Sequence, residues 1–184
     1  MSNLILREEK GSPLTHEELD NNIKAIKGTL NINNLLHVED RKPAGTSGGT
    51  FTSGAWRTRD LNTVVTNTIA GASLASNQVT LPAGEYWVEG SAPASYVDQH
   101  KVIIKNITDI LTILEGTSER IYTTNSFNHI TTHSKISGFF VTNNIKSIEL
   151  QHRCLTTRDP NGFGRETGLG SYELYSVLKI WKVG

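Results

Sequence analysis

Residues 78–94 read QVTLPAGEYWVEGSAPA, and the fold turns on how this stretch is parsed. Val79 and Leu81 alternate with polar neighbours, Pro82-Ala83-Gly84 makes a turn, and Tyr86, Val88 and Gly90 resume the alternation while Trp87 and Glu89 face the other way. This is the pattern of two strands meeting at a corner. Proline lacks the N–H that a ladder needs and the glycine beyond it accepts a positive φ, so pairing breaks and the chain bends from one sheet into another. Corners of this kind belong to β-sandwiches and jelly rolls.

The same grammar extends on both sides. Residues 50–52, 56–58, 61–69, 101–107, 110–114, 135–142, 147–155 and 172–183 are short runs rich in β-branched and aromatic residues, separated by Gly, Pro, Asn, Asp and Ser. No helical segment lies between them, which requires antiparallel pairing, because parallel strands need long crossovers. The spacing therefore predicts a mainly β protein, an antiparallel jelly-roll sandwich. The run 172–183 is nearly continuous and is expected in the middle of a sheet. Leu81, Tyr86, Val88, Val177 and Ile180 are the predicted core.

Upstream the pattern changes. Thr15 and Glu18 have the spacing of a capping box, Leu14 and Leu19 that of a hydrophobic staple, and Pro13 precedes them. Leu19, Ile23, Ile26 and Leu30 then recur at intervals of four, three and four, the seam of a coiled coil, and isoleucine at two of these positions favours three strands. Gly28 is expected to end this short helix. A helix of about three turns is marginal alone, so it is expected to be held by other copies or by the next domain. Leu4, Ile5 and Leu6 form an apolar patch at a terminus, suited to docking on a partner.

The resulting division is an attachment segment with the helix over 1–42, a Gly/Ser/Thr-rich linker over 43–53 and a jelly-roll head over 54–184. Residues 31–42 read as an extended connection. The glycines of the linker lack the Lys-Ser/Thr ending and the strand-to-helix setting of a phosphate loop.

Composition narrows the function classes. The 184 residues carry 18 basic and 18 acidic side chains, a formal charge of zero, whereas nucleic acids and anionic membranes attract a basic surplus. Apolar residues make up 36%, modest for a helical bundle and suited to many short strands. Cys154 is the single cysteine, expected to be an inert buried thiol, with no intrachain disulfide and no thiolate metal cluster. No run approaches the ~18 apolar residues of a membrane span, and residues 1–10 lack the build of a signal peptide, so synthesis in a cytosol is expected.

Two passages go further. The segment Gly54-Ala55-Trp56-Arg57-Thr58-Arg59-Asp60-Leu61-Asn62, with the corner that follows it, resembles the opening of C-terminal domains in bacteriophage tail fibres and related virion appendages. His100-Lys101-Val102, residues 149–154, Asn161-Gly162-Phe163-Gly164 and residues 175–181 look like later parts of the same pattern, and residues 10–22 are similar to the N-terminal segment of many phage tail and appendage proteins. The resemblance implies the trimeric jelly roll shared by the tumour necrosis factor and complement globular-head superfamily. It also implies a homotrimeric virion protein, assembled in the host cytoplasm, whose N-terminal segment meets other virion proteins while the head meets a host surface glycan or protein. The chain lacks the long shaft of most tail fibres, which leaves a short tail fibre, a head fibre and a capsid-decorating cement protein in view.

Catalytic signals are sparse. There is no G-x-S-x-G elbow, and the β-helical domain that polysaccharide-cleaving tailspikes use has no room here, so the reading is of a non-enzyme without cofactor; a small glycan-cleaving enzyme stays as a rival, because paired carboxylates converge only in space. His129 and His133 sit four apart on a strand-like run, about 13 Å, too far to share a metal ion within one chain, although three-fold symmetry would bring three copies of one histidine together near an axis. His100 and His152, each beside a cation, read as core or interface residues. Receptor binding is expected from loop aromatics and amides over 118–133 and 156–171, namely Tyr122, Phe127, His129, Asn161 and Phe163, with Tyr96 a further loop ring. Each of these rings could equally plug an end of the sandwich.

Overall fold

The structure is a computed structural model and describes residues 4–29, 34–120 and 130–184. Leu30, Tyr122, Phe127 and His129 lie outside the described residues, as does the side chain of Ile26. The chain divides after Asn33 into two compact units.

The first unit carries a short helix α1 (Arg7–Lys10) and the longer α2 (His16–Thr29). The capping box forms in both directions: the Thr15 N–H donates to the Glu18 carboxylate at 2.7 Å and the Glu18 N–H donates to Thr15 Oγ1 at 3.2 Å. Lys10 pairs with the same carboxylate. Asn22 holds the apolar N-terminal patch through both backbone groups of Ile5, at 2.9 and 2.7 Å. The helix runs through Gly28 to Thr29 rather than ending at the glycine, a shift within the fraying of a last turn. Leu19 and Ile23 of the expected seam are 47% and 42% exposed.

The second unit is the β head. Its strands are β1 (Leu35–Pro43), β2 (Arg57–Thr58), β3 (Thr63–Asn67), β4 (Ser73–Ala75), β5 (Gln78–Leu81), β6 (Gly84–Ser95), β7 (Gln99–Asn106), β8 (Leu111–Glu115), β9 (Glu119–Arg120), β10 (Thr131–Thr142), β11 (Lys146–Cys154) and β12 (Tyr172–Lys182). One sheet has the order β10-β6-β12-β1-β3; the other runs β4-β5-β11-β7-β8, with β2 added beside β11 and β9 beside β7. All pairings are antiparallel.

The corner behaves as its sequence implies. β5 pairs with β4 and β11 in one sheet, and after Pro82-Ala83 the chain enters the other as β6, between β10 and β12. The Pro82 carbonyl accepts from Tyr86 Oη at 2.8 Å and from Thr142 Oγ1 at 2.9 Å, which fixes the bend. Gly84 has φ +157°, and a Cβ there would lie 3.1 Å from the Gly184 carbonyl and displace the flexible end of Lys182, so the corner favours glycine.

Two expectations about the head's start are corrected. Residues 35–43, read as part of a connection, form a strand inside the sheet between β12 and β3. The charged residues of His37-Val38-Glu39-Asp40-Arg41 hid the alternation, yet Leu36 and Val38 are fully buried while Glu39 on the opposite face is clasped by His37 and Arg41 at 2.8 and 2.6 Å. The stretch 43–53 is packed rather than loose: Phe51 is fully buried and exchanges backbone hydrogen bonds with Arg158 at 2.9 and 3.0 Å. The head therefore starts at Asn34, not at residue 54.

The core lies between the sheets and includes Leu36, Val38, Leu81, Tyr86, Val88, Ile104, Ile148, Leu150, Leu178 and Ile180. β12 does sit mid-sheet, but Val177 is only half-buried and faces outward, because it stands three residues from Ile180 on a strand with period two. A bulge compounds the error. Leu174 pairs with Arg41 and Val177 with Glu39, so Tyr175 and Ser176 share the space opposite one residue, and both side chains turn inward.

Candidate functional surface

Residues from distant segments converge at the bulge. Arg59 is 1% exposed; its Nε donates to Ser176 Oγ at 2.7 Å, Nη2 to the Phe163 carbonyl at 2.9 Å and Nη1 to the Pro93 carbonyl at 3.4 Å. Burial pulls its pKa down to about 10, against the attraction of Asp40 and Asp60, so it stays charged at neutral pH. Beside it, His100 Nδ1 and His152 Nε2 share a hydrogen bond of 2.9 Å, and His100 Nε2 bonds Thr132 Oγ1 at 2.7 Å. Burial pushes His100 down to about 4 and His152 well below the usual histidine range, with the Arg59 charge adding to both shifts. Both histidines are core residues.

This arrangement absorbs a predicted binding ring. Phe163 is half-buried, stacked on Phe51 with centroids 4.3 Å apart, and lies 4.2 Å beneath the Arg59 guanidinium. Phe51 in turn meets the His152 ring at 4.7 Å. Phe163 thus plugs the sandwich end and presents no open face for a receptor. Asn161 is half-buried as well, with its side-chain oxygen enclosed and its backbone carbonyl accepting from Gly164 N at 3.1 Å. The Tyr96 ring is covered by Arg158, 4.9 Å from its centroid. Gly164 has φ +140°, and a Cβ there would lie 2.3 Å from the Tyr175 ring, so this loop is fitted against the bulge. Cys154 is 5% exposed and burial raises its pKa to about 11, which leaves the thiol protonated and inert.

The 156–171 loop is pinned by one carboxylate. Glu173 Oε1 accepts from the N–H groups of Gly45 and Gly168 at 2.9 and 2.7 Å, and Oε2 accepts from Thr167 N and Oγ1, both at 3.1 Å. Those backbone donors hold its pKa below the usual carboxylate range. An amide cannot accept from all four groups. Glu173→Gln is therefore expected to speed hydrogen exchange at Gly45, Thr167 and Gly168 while the β6 and β12 amides stay protected, and unchanged exchange at those three amides would contradict this role.

The exposed chemistry lies elsewhere, on the outer face of the five-stranded sheet. Leu35 pairs with Trp181, Trp181 with Trp87 and Trp87 with Phe139, so one cross-strand row carries three aromatic rings across β1, β12, β6 and β10. Trp87 is 40% and Phe139 49% exposed, and neighbouring Val141 is 55% exposed. The next row is polar, Ser137, Glu89, Lys179 and His37, with Trp87 Nε1 donating to Glu89 at 3.3 Å. Sequence alternation had placed Trp87 outward but could not align it with Trp181 and Phe139. Among the described residues, no group of three or more His, Cys, Asp or Glu side chains is placed to hold a metal ion, and His133 faces outward from β10.

No protein-family model matches the chain, and no curated protein sequence matches it. Solved structures do. The tumour necrosis factor Eiger from S. frugiperda superposes with a TM-score of 0.54 over 82% of this chain and 92% of that chain, at 14% identity. Murine APRIL at pH 8.5 superposes with a TM-score of 0.51 over 80% of this chain and 97% of that chain, at 9% identity. The fold is a jelly roll of the tumour necrosis factor type. Identities this low speak to the fold alone. Within this jelly roll, the outer face of the β10-β6-β12-β1-β3 sheet carries the aromatic row.

Proposed function

We propose that the chain is a non-enzymatic structural protein of a bacteriophage virion, a short tail fibre or receptor-binding appendage that works as a homotrimer on the tail or capsid surface. The carrying observation is the row Phe139, Trp87, Trp181 and Leu35 on an open sheet face. A monomeric protein rarely leaves such a row in water, and burying it against identical copies gives closed symmetric assembly. The Leu19 and Ile23 seam and the resemblance of the Gly54–Asn62 motif to phage appendages support three copies and a virion setting. In this reading the N-terminal unit attaches to other virion proteins and the head meets host glycan or protein; neither nucleic acid nor membrane insertion is involved.

Sedimentation equilibrium at micromolar concentration tests the assembly. The wild type is expected to be a trimer, and so is a chain starting at Asn34, because a short coiled coil contributes little. The double variant Trp87→Glu, Phe139→Glu is expected to sediment as a folded monomer, since charges opposed across a buried interface lose several kcal/mol. A wild-type monomer or dimer would sink the proposal. Phage adsorption in the presence of excess purified head then tests host recognition. The packing of Phe163 and Asn161 into the sandwich end favours a second reading, a capsid-decorating cement or head-fibre protein, for which excess head leaves adsorption unchanged.

A further inference from the structure

The other sheet carries an open cleft of about 470 Å³ at the β2, β11, β7 and β9 ends, within the size range of small-ligand sites. Its walls include Trp56, Lys101, Glu119, Arg120, Arg153 and Leu155. Register explains the grouping. Arg153 pairs with Lys101, and the Arg57 to His152 pairing brings Trp56 beside Arg153, so an indole and two cations form a row across three strands. Arg120 pairs with Gln99 in the adjacent row. Leu155 N donates to the Gln99 carbonyl at 2.9 Å, which holds the floor in place.

Three cations face one lining carboxylate, in a chain whose net charge is zero. Lys101 is engaged by Glu115 at 2.5 Å, but among the described residues nothing pairs with the Arg153 guanidinium. Trp56 and Leu155 remain 37% and 60% exposed beside it. A ring that offers one apolar face and an equatorial anion matches this layout: its C–H face seats on the indole while the anion takes the planar fork of Arg153. Nucleic acid fits less well, because Glu115 and Glu119 flank the cations and interrupt any basic track.

We propose that this cleft binds an anionic saccharide, with Trp56 as the stacking platform and Arg153 as the anion ligand. The inference rests on the reading of the head as a host-recognising module. It is tested on the full chain with matched probes, 3′-sialyllactose against lactose and a hyaluronan tetrasaccharide against cellotetraose, by saturation-transfer NMR and calorimetry. At least one acidic probe is expected to bind, its neutral partner at least about tenfold more weakly, and raised salt to weaken only the acidic one. Arg153→Gln and Trp56→Ala should each reduce binding about tenfold or more with the melting temperature unchanged. Equal binding of acidic and neutral probes, or binding indifferent to both substitutions, overturns the proposal. So does absence of binding to both acidic probes, and if Arg153→Gln still abolishes adsorption the partner is a protein. If the cleft binds as expected but both variants compete for adsorption like the wild type, the cleft stands and the host-attachment reading falls.

Discussion

Arg59→Ala is expected to unfold the loop end of the head and to leave little soluble protein. The guanidinium is the common partner of the Ser176 hydroxyl and of the Phe163 and Pro93 carbonyls, and it lies over the Phe163 ring. Truncation strands those acceptors in the interior, opens a cavity over the Phe163 ring and leaves Asp40, itself 1% exposed, with Lys42 at 3.3 Å as its remaining close cation. Removing one side of a buried charged network loses about 3–5 kcal/mol, a large part of the stability of one domain. Arg59→Lys keeps the charge but not the fork, so it is expected to recover only part of the loss. Chemical denaturation followed by circular dichroism measures both variants. An Arg59→Ala head that denatures at the wild-type midpoint would show that the cluster fills space without holding the end together.

How much of this was legible in the sequence follows from the range of each interaction. The capping box at Thr15 and Glu18 spans three residues, and the corner at Pro82 rests on an alternation visible within one segment, so both were read directly. β1 was missed because its outward residues are charged and its inner pair, Leu36 and Val38, is short, a pattern shared with exposed connections. Arg59 lies 117 residues from Ser176 and 104 from Phe163, and nothing local distinguishes it from the surface arginines Arg57 and Arg153. Phe163, in a stretch of Asn and Gly, has the composition of an exposed loop, and only the approach of Phe51 and Arg59 turns it inward. The aromatic row and the cleft are likewise products of register, which sequence alternation sets within a strand but not between strands.

The same cluster makes acid stability the second large effect. His100 and His152 are buried and neutral and bonded to each other; burial is the main force against a proton on either, Arg59 adds to it on both and His133 on His100, while Glu119 opposes it on His100 without offsetting the burial. Their pKa values are lowered in the folded head, so between about pH 6.5 and 4 the unfolded chain binds protons that the folded head excludes. Stability therefore is full above pH 6.5 and falls as the pH drops through this window. His100 alone, held at about 4 against an ordinary 6.5, contributes about 3 kcal/mol of this loss, and His152 adds to it in the same direction. Glu173 acts with the same sign at lower pH, because its lowered pKa makes protonation of the loop anchor destabilising. Urea midpoints measured at pH 7, 5.5 and 4.5 are expected to decline steeply. In the double variant His100→Gln, His152→Gln the decline over this window should flatten, even though the variant starts from a lower midpoint at pH 7. A wild-type midpoint that is the same at pH 4.5 as at pH 7 would mean that the pair takes up its protons without opening the head.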